Sequence, residues 1–251
     1  MKIVLSPAKK MELKKPTPSI KYTTPLFLDE AQQVITAMRK KTPEEISKLM
    51  KLSANLGNLN WERYQNWQKE IDKTARPAIY TFNGNVYNTL DVNAITKDKL
   101  TEVNNKVRIL SGLYGVLRPF DLIYPYRMEM GTKLQFDQYK NLYDFWRKKI
   151  TDAFNQEMKE GELLVNLASQ EYFKAIDKKH FFNPILNVEF KEYKNGHLKV
   201  ISIYAKMARG LMTRFIIQNK IETKEEIKLF DIDGYRFDAN LSDNDKFVFT
   251  R

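Results

Sequence analysis

The stretch SGLYGVLRPFDLIYPYRMEMG, residues 111–131, decides how the rest of the chain is read. It sets Gly112, Gly115, Gly131, Pro119 and Pro125 among Tyr114, Phe120, Tyr124 and Tyr126, with Arg118, Asp121, Arg127 and Glu129 in the same run. Glycine and proline at that density exclude one regular helix or strand. The aromatic content is too high for a solvated loop. The segment is therefore expected to be an ordered connection pinned against a core, with charged groups held at its turns. Charges fixed beside aromatic walls are what a binding or catalytic site requires. They serve equally well in a buried structural loop whose Arg and Asp satisfy the backbone and each other, and spacing leaves both readings open.

Working outward, residues 107–110 read as an apolar strand that feeds this segment. Toward the N-terminus, residues 2–5 read as a short buried strand ending at Ser6-Pro7, and residues 9–25, basic with three prolines, as an extended connection. Residues 28–41 have helical periodicity. Thr42-Pro43-Glu44-Glu45 is a helix start, with Thr as N-cap, Pro at the first helical position and acids in the first turn. That helix is expected to reach residue 52, with another over 60–69. Residues 78–82 read as a strand closed by Asn83-Gly84, with a short helix after it. Toward the C-terminus, residues 140–159 predict a long amphipathic helix, 163–167 a buried strand and 170–175 a short helix. Residues 184–190 and 199–204 read as strands joined through Lys194-Asn195-Gly196. Residues 205–219 are helical, and 230–237 and 246–249 make a final strand pair. This order predicts an α/β (mixed α+β) fold, a single domain over residues 1–251 with a mixed sheet and surrounding helices.

Composition narrows the chemistry. The net charge of +11 favours anionic partners: nucleic acid, phosphorylated metabolites or an acidic membrane surface. No cysteine is present, which excludes disulfides, thiolate zinc sites, iron–sulfur clusters and thiol catalysis. Only His180 and His197 supply imidazole, so a Ser-His pair or His-rich metal site is not expected. No metal or cofactor is expected. The start, MKIVLSPAKK, is too short an apolar run for a signal peptide, and nothing later reaches membrane-spanning length, so the expected compartment is the cytoplasm.

Four constellations could carry function. In ISKLMKLSANLGNLNWERYQNW, residues 46–67, the order Leu56-Gly57-Asn58-Leu59-Asn60 resembles the turn of a helix-hairpin-helix motif, where backbone N–H groups hold a phosphate. Asn58 and Asn60 stand where glycines are usual, and Asn tolerates left-handed conformations. Lys48, Lys51 and Arg63 flank the turn. Plain helix packing explains the same pattern. In YAKMARGLMTRF, residues 204–215, Lys206, Arg209 and Thr213 share one helical face, and Gly210 points to close approach of another backbone or a ligand. Ser6-Pro7-Ala8-Lys9 follows the first strand, where ligand loops of α/β sheets are common. In NLASQEYFK, residues 166–174, a strand runs into a helix for which Ser169 is a sufficient cap, while Tyr172 and Lys174 could still reach a cleft.

Together these segments carry a resemblance. LSPAK (5–9), TPEEISKLMKLS (42–53), FNGNVY (82–87), LSGLYGVLRPFDLIYPYRMEMG (110–131), NLASQEYFK and YAKMARGLMTRFI (204–216) are similar to the bacterial peroxide stress protein YaaA family, essentially end to end. The resemblance implies a cytosolic protein that limits damage from free intracellular iron under hydrogen peroxide. It also implies DNA binding, a helix-hairpin-helix element, a positively charged cleft and an unusual single-domain fold. On that footing DNA is the expected partner, double-stranded or structured and with weak sequence preference. Lys48, Lys51, Asn58, Asn60, Arg63, Lys206 and Arg209 are the candidate contacts, and Tyr114 and Tyr126 are candidates for stacking on unpaired bases. The alternative is an enzyme acting on a small anionic or nucleotide ligand. Its pocket would combine Lys9, Tyr114, Arg118, Asp121, Arg127, Glu129, Lys174, Lys206 and Arg209, with Asp121, Arg127, Glu129 and Lys174 as candidate catalytic groups. The two alternatives differ in whether these side chains line one pocket or spread along an open groove.

Overall fold

Ile3, Val4 and Leu5 on strand β1 (Lys2–Leu5) have no solvent exposure, although alternate side chains point to opposite faces. Such a strand has to lie inside a sheet covered on both sides, the usual setting of parallel strands. The computed structural model, which describes residues 1–14 and 16–251, shows this arrangement.

After β1 the chain makes β2 (Lys10–Met11) and an irregular connection; Lys15, within the expected extended stretch, lies outside the described residues. Helix α1 (Leu28–Arg39) buries Ala31, Val34, Ile35 and Met38. Helix α2 (Pro43–Met50) starts where the sequence signals it. Thr42 Oγ1 accepts from the Glu45 N–H and the Glu45 carboxylate accepts from the Thr42 N–H, a reciprocal capping box.

Helix α3 (Ala54–Asn66) corrects the expected hairpin. Its N-cap is Ser53, so the turn is Lys51-Leu52-Ser53, with Lys51 in the left-handed region at φ 53°. Residues 56–60 lie in regular helix, and neither Asn58 nor Asn60 takes the role of a turn glycine. Asn60 is buried; its Nδ2 donates to the Leu56 carbonyl at 2.7 Å and its Oδ1 accepts from Arg63 at 3.3 Å. Gly57 serves the crossing of α2 and α3 instead. A Cβ there would collide with Ser47 Oγ and come within 2.8 Å of the Pro43 carbonyl.

Next come β3 (Arg76–Pro77), α4 (Ala78–Thr81), β4 (Phe82–Asn83), α5 (Asn85–Leu90) and α6 (Lys97–Lys106). Residues 78–81 are thus a helical turn, not the expected strand; a short apolar run fits either state. Strand β5 (Val107–Ser111) leads through β6 (Gly115–Leu117) and β7 (Leu122–Ile123) to α7 (Leu142–Glu157) and β8 (Leu164–Asn166). The chain closes with α8 (Gln170–Phe173), β9 (Ile185–Lys194), β10 (His197–Lys199), α9 (Ser202–Gln218), α10 (Lys224–Ile227), β11 (Arg236–Phe237) and β12 (Lys246–Thr250). The strand expected over 199–204 stops at Lys199, and α9 begins at Ser202. Within 230–237 the chain makes a short 3-10 helix, Ile232–Gly234, with strand only at its end.

The main sheet has the order β11-β12-β9-β8-β1-β5-β6, with β10 paired to β9. Strands β12, β9, β8, β1 and β5 run parallel, while β6, β10 and β11 are antiparallel additions, so the sheet is mixed. Helices pack around it on one continuous core. Among the described residues no helix is long and apolar enough to cross a membrane.

Residues 111–131 are pinned as expected. Ser111 Oγ accepts from the Leu113 and Tyr114 N–H groups and hydrogen-bonds the Tyr126 hydroxyl at 2.6 Å. Trp67 Nε1 donates to the Tyr114 hydroxyl at 2.8 Å, and Trp146 Nε1 to the Gly112 carbonyl at 2.9 Å. Tyr114 and Tyr126 stack edge-on with centroids 5.3 Å apart and are both buried. Neither can stack on a base, nor can Tyr114 line an open pocket; their rings are core.

Candidate functional site

From β1 the chain crosses to β5 on one side, whereas from β8 it crosses to β9 on the other. Adjacent parallel strands whose connections diverge leave a crevice beyond their C-terminal ends, where α/β sheets bind ligands. Here its walls are residues 6–9 after β1 and 167–169 after β8. Ser169 occupies the α8 N-cap position, yet its hydroxyl makes no cap bond. The Ser169 N–H donates to Ser6 Oγ at 2.8 Å and the two hydroxyls meet at 3.2 Å, so this pair latches the loops together. Tyr87 of α5 donates to the Ser6 carbonyl at 2.9 Å and fixes the same loop from the side.

Two chambers open around this latch. One, of about 360 Å³, lies between the β1 loop, the start of α5, α8 and α9, and is lined by Lys9, Asn83, Ser169, Tyr172, Lys206 and Arg209. The other, of about 840 Å³, lies between α8, β9 and α9 and is lined by Lys174, Lys178, Glu189, Arg209 and Lys246 among others. Arg209 lines both. Burial holds its guanidinium below the ordinary value, with Glu189 acting against that, and its Nε is buried with no hydrogen-bond partner. Gly210 explains how α9 comes so close. A Cβ there would collide with the Val86 carbonyl and Thr89 Oγ1, and Thr89 Oγ1 donates to the Met207 carbonyl at 2.7 Å.

Beside the smaller chamber stands an ionic cluster. Glu129 Oε1 takes Lys9 Nζ at 3.1 Å, Arg127 Nε at 3.2 Å and Arg127 Nη2 at 3.1 Å. Glu129 Oε2 is buried and has no partner. The Arg127 carbonyl accepts from the Tyr64 hydroxyl of α3, which ties this cluster to the helical hairpin. Arg63, one residue earlier, feels the same cluster: burial lowers its guanidinium, and the Arg127 charge adds to that effect.

A family model described as "Peroxide stress protein YaaA" matches residues 1–241. The chain belongs to the YaaA family. It is 50% identical over 252 residues to a UPF0246 protein of Flavobacterium psychrophilum, with 100% of each chain covered. A UPF0246 protein of a Marinomonas species is 50% identical over 253 residues, covering 100% of this chain and 97% of the relative. One from Acaryochloris marina is 46% identical over 252 residues, again with complete coverage. Membership assigns the chain a role in peroxide stress.

In this YaaA-family fold the sequence candidates separate. Lys9, Arg127, Glu129, Lys206 and Arg209 converge on the crevice, Lys174 lines its larger chamber, and Arg63 abuts the cluster. Arg118 and Asp121 do not join them; they line a separate recess with Arg108 and Glu157. Asp121 is a staple. It accepts from the Arg118 N–H at 2.8 Å and from Thr23 Oγ1 at 2.6 Å, and burial pushes its carboxyl above the ordinary value against those bonds. Thr213 leaves the cationic face: it is buried and bonds the Arg209 carbonyl. Lys48, Lys51 and Asn58 are exposed on the α2–α3 hairpin. Sequence reasoning missed Arg147, Lys178 and Lys246 in the larger chamber. Arg147 and Lys178 stand in runs of adjacent cations, Arg147-Lys148-Lys149 and Lys178-Lys179, and Lys246 follows Asp245, so no local signal singles out the one that faces the chamber.

Proposed function

We propose that the protein serves the peroxide stress response by binding DNA, double-stranded or structured and with weak sequence preference, across the cationic rim of this crevice. The observation that carries this is the convergence of Lys9, Arg127, Lys206 and Arg209, from three distant parts of the chain, on two adjoining recesses that share Lys9, with Arg63 close enough to feel the Arg127 charge. Cations so placed neutralise phosphates and position a duplex without reading its bases. Lys48 and Lys51, exposed on the α2–α3 hairpin, are read as further phosphate contacts made through side chains rather than a backbone turn. Among the described residues no group of three or more His, Asp or Glu side chains is placed to hold a metal ion. On this reading, protection against iron-driven damage is shielding of DNA.

A second reading, an enzyme acting on a small anionic or nucleotide ligand, is favoured by the bare Glu129 Oε2 beside Lys9 and Arg127. A buried carboxylate oxygen held between cations can accept a proton from a bound ligand. Titration of duplex and junction DNA against salt tests the first reading. Affinity is expected to fall steeply, with a log–log slope of about −0.9 per phosphate neutralised on duplex DNA. Affinity that ignores salt, or is absent at low salt, sinks it. Loss of peroxide survival in Glu129→Gln with unchanged DNA affinity transfers the function to the second reading.

A further inference from the structure

The larger chamber has chemistry of its own, and neither reading of the rim uses Arg147, Lys178 or Lys246. Five cationic side chains line it, Arg147 from α7, Lys174 and Lys178 after α8, Arg209 from α9 and Lys246 from β12, against the carboxylates of Asp177 and Glu189. Asp177 is already engaged by His180 Nδ1 at 2.8 Å, and Lys191 approaches Glu189 at 3.6 Å. Among the neutral polar side chains of the wall, Asn166 and Asn187 are also spent, while Gln170 is exposed at its edge. Asn166 Oδ1 accepts from the Ala168 N–H at 3.0 Å, and its Nδ2 donates to Asn187 Oδ1 at 2.9 Å. Lys246 stands 4.0 Å from Asp243, and what remains unsatisfied in the buried wall is the donor Arg209 Nε. Leaving such a group bare has a cost, and a ligand rich in acceptors removes it.

We propose that this chamber binds a phosphorylated small molecule. A planar carboxylate is satisfied by one guanidinium fork, whereas a phosphoryl group presents three oxygens in different directions. Cations arriving from α7, α9, β12 and the chain after α8 suit the second geometry. Phe173, Ile176 and Val188 give the chamber an apolar side for the body of the ligand, and Lys178 already lies 5.4 Å from the Phe173 ring centroid. Its volume of about 840 Å³ falls in the range that holds metabolite-sized molecules. The proposal stands apart from DNA binding at the rim and survives if that reading fails.

The test uses the full chain, titrated calorimetrically at fixed ionic strength with pyrophosphate, adenosine 5′-monophosphate and citrate. Saturable binding of both phosphate probes, each tighter than citrate, is expected. The double variant Lys178→Gln/Lys246→Gln, whose fold is checked by its melting temperature, is expected to weaken both by about tenfold or more, as removal of charge-assisted bonds does. Failure of the phosphate probes to saturate, equal affinity for citrate, or unchanged affinity in the double variant overturns the proposal. A DNA titration of the same variant completes the test. Unchanged DNA affinity with lost phosphate affinity is the expected result, whereas parallel loss of both makes the chamber a part of the DNA surface and ends its claim to a separate ligand.

Discussion

At the N-terminal end of the parallel strands, charges are matched. The Met1 amine meets Glu162 at 3.0 Å, Lys2 meets Glu157 at 2.9 Å, and Lys106 meets Glu102 at 2.9 Å and Glu222 at 2.6 Å. Arg108, buried on β5, places its fork on both oxygens of Glu157. At the C-terminal end of the same strands the matching stops. Lys9 and Arg127 share one oxygen of Glu129 while the other stands bare, and Arg209 Nε has no partner. Among the described residues Lys174 and Lys206 enter no ion pair. One end holds the fold together; the other keeps its charge available, at some cost in stability, as binding sites do.

The largest effect is expected where the second end is held in place. Gly210→Val drives a branched side chain into the α5 backbone, which cannot swing aside. A loss of about 3 kcal/mol is expected in chemical denaturation, together with displacement of Lys206 and Arg209 and loss of DNA affinity. Wild-type stability in this variant would show that α9 is free to shift and that the crevice geometry is not fixed.

Glu157→Gln probes the matched end. It leaves Arg108 buried without a counter-charge. A destabilisation of about 2 kcal/mol is expected, less than the roughly 3–5 of a fully buried pair because Glu157 is partly exposed. The pH dependence has a definite sign. Burial pushes the Glu157 carboxyl up, but the hydrogen bonds and charge of Arg108, and then of Lys2, outweigh it and hold the group below its ordinary value. A carboxylate lowered in the folded state contributes stability above its unfolded value, near about 4.3, and loses it as pH falls through the folded value. The gap between wild type and variant should be full at neutral pH and close in acid; urea midpoints from pH 7 to 3 measure it. DNA affinity should not change.

Arg209→Met completes the contrast with the smallest change and the opposite sign. An apolar chain of similar length replaces a buried, under-bonded charge, so stability is expected to rise by about 1 kcal/mol while DNA affinity falls. A variant that loses stability instead would place Arg209 with the structural charges, and the distinction between the two ends would disappear.

What could be read in the sequence follows from how local its signals are. The start of α2 is written in four consecutive residues, Thr42 to Glu45, and β1, β5 and β8 are short apolar runs with turn residues beside them. The α2–α3 turn was misplaced because Gly57 looks like a turn glycine, when its missing side chain admits another helix; Ser53, a plain N-cap, carried the usable signal. Tyr114 and Tyr126 looked like stacking platforms because the sequence does not tell which way an aromatic ring points in an irregular segment. The crevice was partly legible. Lys9, Arg127, Glu129, Lys174, Lys206 and Arg209 stand in distinctive motifs, and the fold brings them to one place. Arg118 and Asp121 sit in an equally distinctive motif yet satisfy the backbone and each other, the alternative that spacing had left open.

The Ser6–Ser169 latch joins residues 163 positions apart, and that separation is also a delay. Chains are made at about 5–20 residues per second, so β1 waits roughly 5–20 s before β5 arrives beside it, and longer before Ser169 reaches Ser6. In that interval Ile3, Val4 and Leu5 have no sheet neighbours, although they end fully buried between β5 and β8. The nascent chain therefore carries an interior strand of its sheet unpaired through much of translation. The crevice itself does not exist until Arg209 has been made.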